Sequence, residues 1–600
     1  MTGQGIRRSQ FITTYGPGAI LEGPSGPRII PGLEHAGIFT TEHPAVKFEI
    51  TERRLSRALL DGASIVRIPS NAELGIIDTH PIYETIPFPT WSLCTRHHVL
   101  YQKRPNETPL RACPLCKPHT HDALAWKQVR REAIRFVQVC PKGHLDDVNW
   151  PGIIDHRNSG CQPSYLEWKG SGSALRNIEI VCPKCKGRVN LGYAYAKTWR
   201  CSGRFLERDN VRLGCDAEAR IIQRGAANIR MAELYSALTI PPTDTPLYRL
   251  LETQYVRLVL AGGPVPVQSK QDLLTRLGGL VVAGFIGPAL VTDLDRFPED
   301  AIMTAIRQMT ASALPEDNRA LRRQEFEALT QAATSGAPPQ PSSTPGGPPQ
   351  FEVIQSDIQE FRGPGSHLLR ITPASRLRVV MVQRGYRRLD PLVSKVVDVK
   401  YIDEGNRPWY PGVELYGEGI FIDLAPASLV AGQHFPLKNS QVWFDAWREP
   451  AELHQRLQME DDRDFLHPVF VWWHTLAHRL INALSIDSGY SSAAVRERVY
   501  IDIDEATGEA RGAILLYTAQ PGGDGTLGGM IALVPQFDRV LRGALNLIDA
   551  CSNDPLCGEE QFGEGKYNGA ACYACQLVSE TSCEHRNTRL DRTLLRENLP

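Results

Sequence analysis

The residues best suited to chemistry in this 600-residue chain are its 14 cysteines, and they are not scattered. Nine lie between Cys94 and Cys215 and five between Cys551 and Cys583; the 335 residues between the two blocks hold none. Several recur as C-x2-C, the spacing with which one tight turn offers two of the four soft ligands that zinc takes in a tetrahedron. The first residues, MTGQGIRRSQFITTYGPGAIL, have no apolar run after their arginines, so no secretory leader is expected. In a cytoplasmic setting thiols stay reduced, and clustered cysteines in a large chain then read as metal sites rather than disulfides.

The pair Cys113/Cys116 has a C-x2-H turn upstream, Cys94 and His97, and these four make a first candidate site, with His98, His119 and His121 as competing ligands. Cys182 and Cys185, followed by Cys201 and Cys215, offer four thiolates and make a second. Between them stand Cys140, His144, His156 and Cys161. They could form a third site, complete the first, or pack without metal. In the C-terminal block the preferred set is Cys551, Cys557, Cys572 and Cys575, with Cys583 left over or exchanging with Cys551. A redox role for Cys572-Tyr-Ala-Cys575 is disfavoured, because two further cysteines stand within reach and no βαβ pattern leads into it.

Catalytic alternatives are weaker. His474-Thr-Leu-Ala-His478 sets two imidazoles at i and i+4, on one helix face, as in a zinc-protease helix. The glutamate that would activate water is replaced by Thr475, and the flanking Val471, Trp472, Trp473 and Leu480 read as a packed core helix. A metal-dependent hydrolase or nuclease using His474, His478 and Asp487 is the rival reading. The glycine-rich stretch Pro521–Gly529 lacks the G-K-[ST] of a P-loop, and no such motif or H-x-K occurs in the chain, so ATP hydrolysis is not expected.

The elements that must position these residues are sketched by composition. The net charge is −1, so any nucleic-acid surface must be local. Trp91–Leu145 carries ten Lys/Arg against three Asp/Glu. His367–Lys400 carries eight basic residues against two acidic ones, with Arg384, Arg387 and Arg388 around Tyr386 as candidates for DNA contact. Residues 1–90 are expected to be β-rich, 91–220 zinc-binding and 221–334 helical, including Ala226–Leu238 and Pro315–Ala333. Residues 335–350, rich in Pro, Gly and Ser, read as a linker, and 351–600 as a C-terminal domain with strands at Phe351–Val399, Val499–Ile503 and Ala513–Thr518 and a helix at Val469–Ala483. The longest uncharged apolar run, Leu277–Val291, is too short for a membrane span and reads as buried core. The fold class expected is α+β and multidomain, with zinc-ribbon-like modules and a mixed α/β C-terminal domain holding a four-cysteine site.

Longer motifs point to a family. The HTLAH at His474, RERVY at Arg496, the PGGDG turn at Pro521 and the cysteines from Cys551 to Cys575 resemble the zinc-binding domain that ends MrfA-type DNA-repair helicases. RRSQFITTYGPGAI, CPKGHLDD, NWPGIIDH, RGAANIRMAELYSALTIP, WYPGVELYGEGIF and NGAACYACQLVSETSCE extend the likeness over nearly the whole chain, and it resembles the DrmB proteins of the DISARM anti-phage defence system. The resemblance implies structural Zn2+, two to four ions per chain. It also implies a non-enzymatic role beside a DrmA-like superfamily-two helicase on DNA, with a phospholipase-D-like protein and a DNA methyltransferase as further associates. One departure is the C-x2-H at Cys94, where the family pattern is C-x2-C.

Overall fold

The computed structural model describes residues 5–600 apart from short stretches, the longest being 104–112, 117–132, 341–348, 427–436, 450–462 and 521–527. The chain forms two compact units, each assembled from three separate stretches: 1–49, 64–235 and 382–413 in one, 50–63, 236–381 and 414–600 in the other.

The first unit is built from small antiparallel sheets. Trp91–Cys94 and Val99–Gln102 form a hairpin in a five-stranded sheet that also takes Leu166–Lys169, Glu179–Val181 and Arg188–Asn190. A four-stranded sheet orders Thr198–Arg200, Glu218–Gln223, Phe136–Val139 and Leu145–Asp147. Their apolar content is modest, with Trp91, Leu100, Phe136, Trp150, Leu166 and Ile180 at the centre of the larger cluster. Three hairpin turns of these sheets are the cysteine turns noted above, so the strands exist in part to present them.

The second unit has long strands. Pro408–Leu424, Ala510–Gln520 and Val495–Ile503 lie side by side, and Ala510–Gln520 pairs antiparallel with both neighbours. On one face of this sheet lies the helix Pro468–Ser488. Proline at its first turn, a His467 ring that accepts the Val469 N–H, and Gly489 in the left-handed conformation at its end fix its limits. Phe470, Val471, Trp472, Trp473, Leu476, Leu480, Ile481 and Leu484 are all buried, as a helix apolar on every side must be. Gly512 is required beneath it, because a Cβ there would stand 2.5 Å from Cδ1 of Trp473. The helix Asn318–Ser335 and the Lys270–Val282, Pro288–Asp295 and Glu299–Ala311 helices also belong to this unit.

The expected C-terminal strands and both expected long helices are present, with ends shifted by a few residues. Two expectations fail. Ala226–Leu238 is not helical: a single 3-10 turn, Ala227–Ile229, leads into the strand Met231–Leu238, which neighbours Leu368–Arg387 in its sheet. Pairing with that long strand outweighs the helix-forming residues. Leu277–Val291 is not one core element but the end of one helix and the start of another, broken at Gly284 (φ +76°) and Pro288. Leu277 is buried, whereas Val282 and Phe285 are exposed. Residues 341–348 of the expected linker lie outside the described residues, while Gln350 is buried.

The strand Val495–Ile503 is buried on both faces and carries adjacent opposite charges. Arg498 is fully buried and makes a two-pronged bond to Glu325 of the helix Asn318–Ser335 (2.7 and 2.9 Å), with further bonds to Ser236 and Glu584. Glu325→Ala should leave this guanidinium with Glu584 as its remaining carboxylate and lower the stability of the second unit by about 3 kcal/mol. Glu327→Ala, which removes an exposed pair with Arg323, should cost less than about 0.5 kcal/mol. Urea unfolding of the two variants, followed by tryptophan fluorescence, checks the difference.

Candidate metal centres

Each metal-ligand turn of the first unit sits where a strand ends and must reverse. Cys94 closes the strand Trp91–Cys94, and the turn through His97 and His98 (φ +51°) leads into Val99–Gln102. Cys140 follows Phe136–Val139; its N–H donates to the His144 carbonyl, and Gly143 (φ +88°) donates back to the Cys140 carbonyl before Leu145–Asp147 begins. A Cβ on Gly143 would lie 2.1 Å from a Val397 methyl, so this turn needs glycine twice over. Cys182 follows Glu179–Val181, and Lys186 (φ +60°) returns the chain to Arg188–Asn190. Paired backbone bonds within such turns point two side chains the same way.

The described residues contain five groups whose ligand atoms all lie within 4.8 Å of one another. The first is Cys94, His97, Cys113 and Cys116, the set expected from spacing. His97 Nδ1 lies 3.7, 3.6 and 3.3 Å from the three sulfurs, and Cys94 Sγ is 3.9 Å from Cys116 Sγ. His119 and His121 lie outside the described residues. The C-terminal set is Cys551, Cys557, Cys572 and Cys575, with sulfur separations of 3.4, 3.7 and 3.8 Å. These spacings are too long for disulfides, and the cysteines are free. They match the edge of about 3.8 Å for a tetrahedron built on zinc–sulfur bonds of about 2.3 Å.

The four-thiolate set Cys182/Cys185/Cys201/Cys215 is not formed. Cys182 and Cys185 meet His156 and Cys161, with His156 Nδ1 3.1 Å from Cys185 Sγ and Cys161 Sγ 3.6 Å from Cys182 Sγ. Cys201 and Cys215 meet Cys140 and His144, with His144 Nδ1 3.3 Å from Cys140 and 3.6 Å from Cys201. The reason is topological. Cys182 follows a strand of the five-stranded sheet, whereas Cys201 and Cys140 follow the two strands that flank Glu218–Gln223 in the four-stranded sheet. The residues that could have packed without metal are therefore ligand-set members, and each of the two sets has three thiols and one imidazole.

The thiols are poised for exchange of protons against a cation. Burial first, with neighbouring thiols, raises Cys116 to about 12 and Cys161 to about 11, whereas a hydrogen bond from Cys201 lowers Cys140 to about 5. A dication supplies the charge that lets the remaining thiols of each set ionise together. The donor sets fit zinc, which when bound acts here as a cross-link between turns.

Arg384, Arg387 and Arg388 do not form the expected DNA surface. Arg388 is fully buried and donates to the carbonyls of Gly143, Ile229 and Gly18 (3.0, 2.6 and 3.0 Å). Arg387 is buried against Glu233 at 3.0 Å, and Arg384 pairs with Asp398 over the Tyr410 ring. Their strand is interior, and the guanidiniums serve as internal donors to backbone that would otherwise go unsatisfied. The histidines of the HTLAH helix, His474 and His478, are wholly buried and face Glu497 and Cys583, which form the fifth group. The side chain of Asp487 and residues 521–527 of the glycine-rich stretch lie outside the described residues.

The chain is similar to known proteins over most of its length. Residues 7–231, which hold the three groups of the first unit, match a domain of unknown function, DUF8724. Residues 476–576, which hold the four-cysteine group, match the MrfA Zn-binding domain. The chain is similar to the DISARM protein DrmB of Bacillus paralicheniformis, with 27% identity over 552 residues, covering 86% of this chain and 89% of that one. Among solved structures, the DUF1998 helicase MrfA bound to DNA matches 34% of this chain and 20% of its own, at 12% identity and a TM-score of 0.18.

The regrouping is testable by zinc content, measured by plasma mass spectrometry on purified variants. Cys182→Ser and Cys161→Ser should each lose one zinc per chain, and together still only one. Cys182→Ser combined with Cys201→Ser should lose two.

Proposed function

We propose that this chain is the non-motor subunit of a DISARM-like anti-phage defence complex, which binds a DrmA-like superfamily-two helicase and assists its hold on DNA. The observation that carries the reading is the similarity to DrmB across 86% of the chain. The absence of a P-loop in the sequence supports a division of labour in which ATP is hydrolysed by the partner. The metal groups support it in another way. They stiffen hairpins and loops whose own apolar cores are small, which suits surfaces that must hold shape against a partner. The phospholipase-D-like protein and the DNA methyltransferase are proposed as further members of the assembly. No helix among the described residues is long and apolar enough to cross a membrane, which suits a cytoplasmic complex.

A hydrolase built on His474 and His478 is disfavoured by burial: both imidazoles have no exposed surface, so no substrate reaches them. With Arg387 and Arg388 in the interior, the basic excess of Trp91–Leu145 is the sequence feature left to support DNA contact.

Purified alone, the chain should show no DNA-stimulated ATP hydrolysis. Mixed with the helicase of its own defence locus, it should co-elute on size exclusion and tighten DNA binding at least several-fold, with an affinity that falls linearly in log salt. Cells lacking the chain should lose protection against phage. ATP hydrolysis by the chain alone, or a helicase whose DNA binding and protection are unchanged without it, would overturn the proposal.

A further inference from the structure

The chain holds a buried constellation that the four cysteine-rich groups do not use. His474 and His478, one turn apart on the helix Pro468–Ser488, meet Glu497 of the strand Val495–Ile503 and Cys583 of the C-terminal loop. We propose that these four residues form a fifth metal site, a closed structural centre for a single Zn2+ ion.

The tautomers argue first. His474 Nδ1 lies 3.2 Å from the Arg589 carbonyl, and His478 Nδ1 lies 2.8 Å from the Gln576 carbonyl. A carbonyl only accepts, so each ring carries a proton on Nδ1, and the neutral ring then keeps its lone pair on Nε2. Those lone pairs face a carboxylate oxygen and a thiol, whose single S–H cannot serve both rings and the carboxylate at once. His474 Nε2 is 2.8 Å from Glu497 Oε1 and 3.3 Å from Cys583 Sγ, and His478 Nε2 is 3.3 Å from the same carboxylate oxygen. Acceptors converging on acceptors repel unless a cation or a proton sits among them, and one metal ion answers all four ligand atoms at once. Imidazoles held by carbonyls at Nδ1 and presenting Nε2 inward are arranged as metal ligands are. Glu497 Oε2 is moreover buried without a hydrogen-bond partner, as expected if the carboxylate is turned toward an ion.

The sulfur carries the same local mark as the cysteines of the other groups. The N–H two residues on donates to Sγ at Cys113 (Leu115, 3.4 Å), Cys201 (Gly203, 3.3 Å) and Cys551 (Asn553, 3.4 Å). At Cys583 the donor is His585 at 3.3 Å, joined by Asn587 at 3.2 Å. Such bonds favour a thiolate over a neutral thiol.

Charge and burial agree. Three thiolates or four against a dication leave a net negative charge, and each of those groups includes partly exposed members. One thiolate and one carboxylate against a dication leave none, and this group alone of the five has every member buried. Four protein ligands with no exposed face leave no place for substrate, so the centre is structural. The ion would pin the C-terminal loop to the helix and strand, beside a loop already tied to the strand by the Glu497 N–H to Ser582 carbonyl bond of 3.0 Å.

The test is metal stoichiometry on the full chain, purified after growth in zinc-supplemented medium. The wild type should carry five zinc ions per chain by plasma mass spectrometry. Glu497→Gln, which keeps the carboxylate's shape, and Cys583→Ser should each carry four, and Cys551→Ser combined with Cys583→Ser should carry three. Circular dichroism identifies any variant that does not fold, and the wild-type count needs no variant. A folded wild type that saturates at four, or Glu497→Gln and Cys583→Ser that both retain five, would overturn the proposal.

Discussion

Two adjacent buried charges on one strand set the terms for the second unit. Alternation in a strand sends Glu497 to one face and Arg498 to the other, and both faces are covered. Neither charge can reach water, so each face must supply a counter-charge. On one side the answer is Glu325 from the helix Asn318–Ser335, with Glu584 adding a second carboxylate at 3.1 Å. On the other side Glu497 meets the His474/His478 pair from the helix Pro468–Ser488 and Cys583, where the proposed zinc ion would supply the charge. The two helices and the C-terminal loop are thereby registered to the strand at one point. Apolar packing around Trp472 and Trp473 is greater in area but less specific in position, since shape-conserving apolar swaps are tolerated where stranded charges are not.

The first unit meets a different constraint. Its sheets are short, and one of its clusters consists of only Cys94, Val99, Tyr101 and Cys113 as buried members. That cluster alone buries too little apolar surface to offset the entropy of ordering its hairpin. Ligand turns at the strand ends convert that deficit into metal affinity, because a site that exists only in the folded state makes binding energy folding energy. The placement follows from the hairpin itself: the reversal that must occur between strands is also the turn that aims two side chains together.

What the sequence made legible was local. C-x2-C and C-x3-H turns, the apolar helix over Val469–Ala483 and the buried strands are all encoded within a few residues. Which turn meets which is not. Cys201 and Cys215 are the next cysteines after Cys182 and Cys185 in sequence, yet strand order carries them to Cys140 and His144 in another sheet. The strand Met231–Leu238 was hidden for the same reason: its residues favour a helix, and only its neighbour 130 or so residues later makes it a strand. Arg387 and Arg388 show the converse error. A run of arginines beside an aromatic suggests a wet, nucleic-acid-facing surface. In a strand of twenty residues that is mostly buried, the same residues become interior donors. The apolar VVMV that precedes them in sequence was the available sign.

The HTLAH helix joins these lines of argument. Its i, i+4 spacing is that of a hydrolytic zinc helix, and its apolar flanks are those of a core helix. The two readings were posed as alternatives, but burial and ligation are compatible. A helix sunk in the core brings its imidazoles to a place where no substrate can follow and where bare ring nitrogens must be answered by a cation or a proton. Thr475, standing where a hydrolase would carry its base, spends its hydroxyl on the Val471 carbonyl at 2.7 Å and accepts the Asp591 N–H at 2.9 Å. The second of these bonds ties the helix to the segment entering the last helix, Arg592–Glu597. The position that would have made this helix catalytic is thus committed to holding the chain terminus in place, and the helix serves as an anchor.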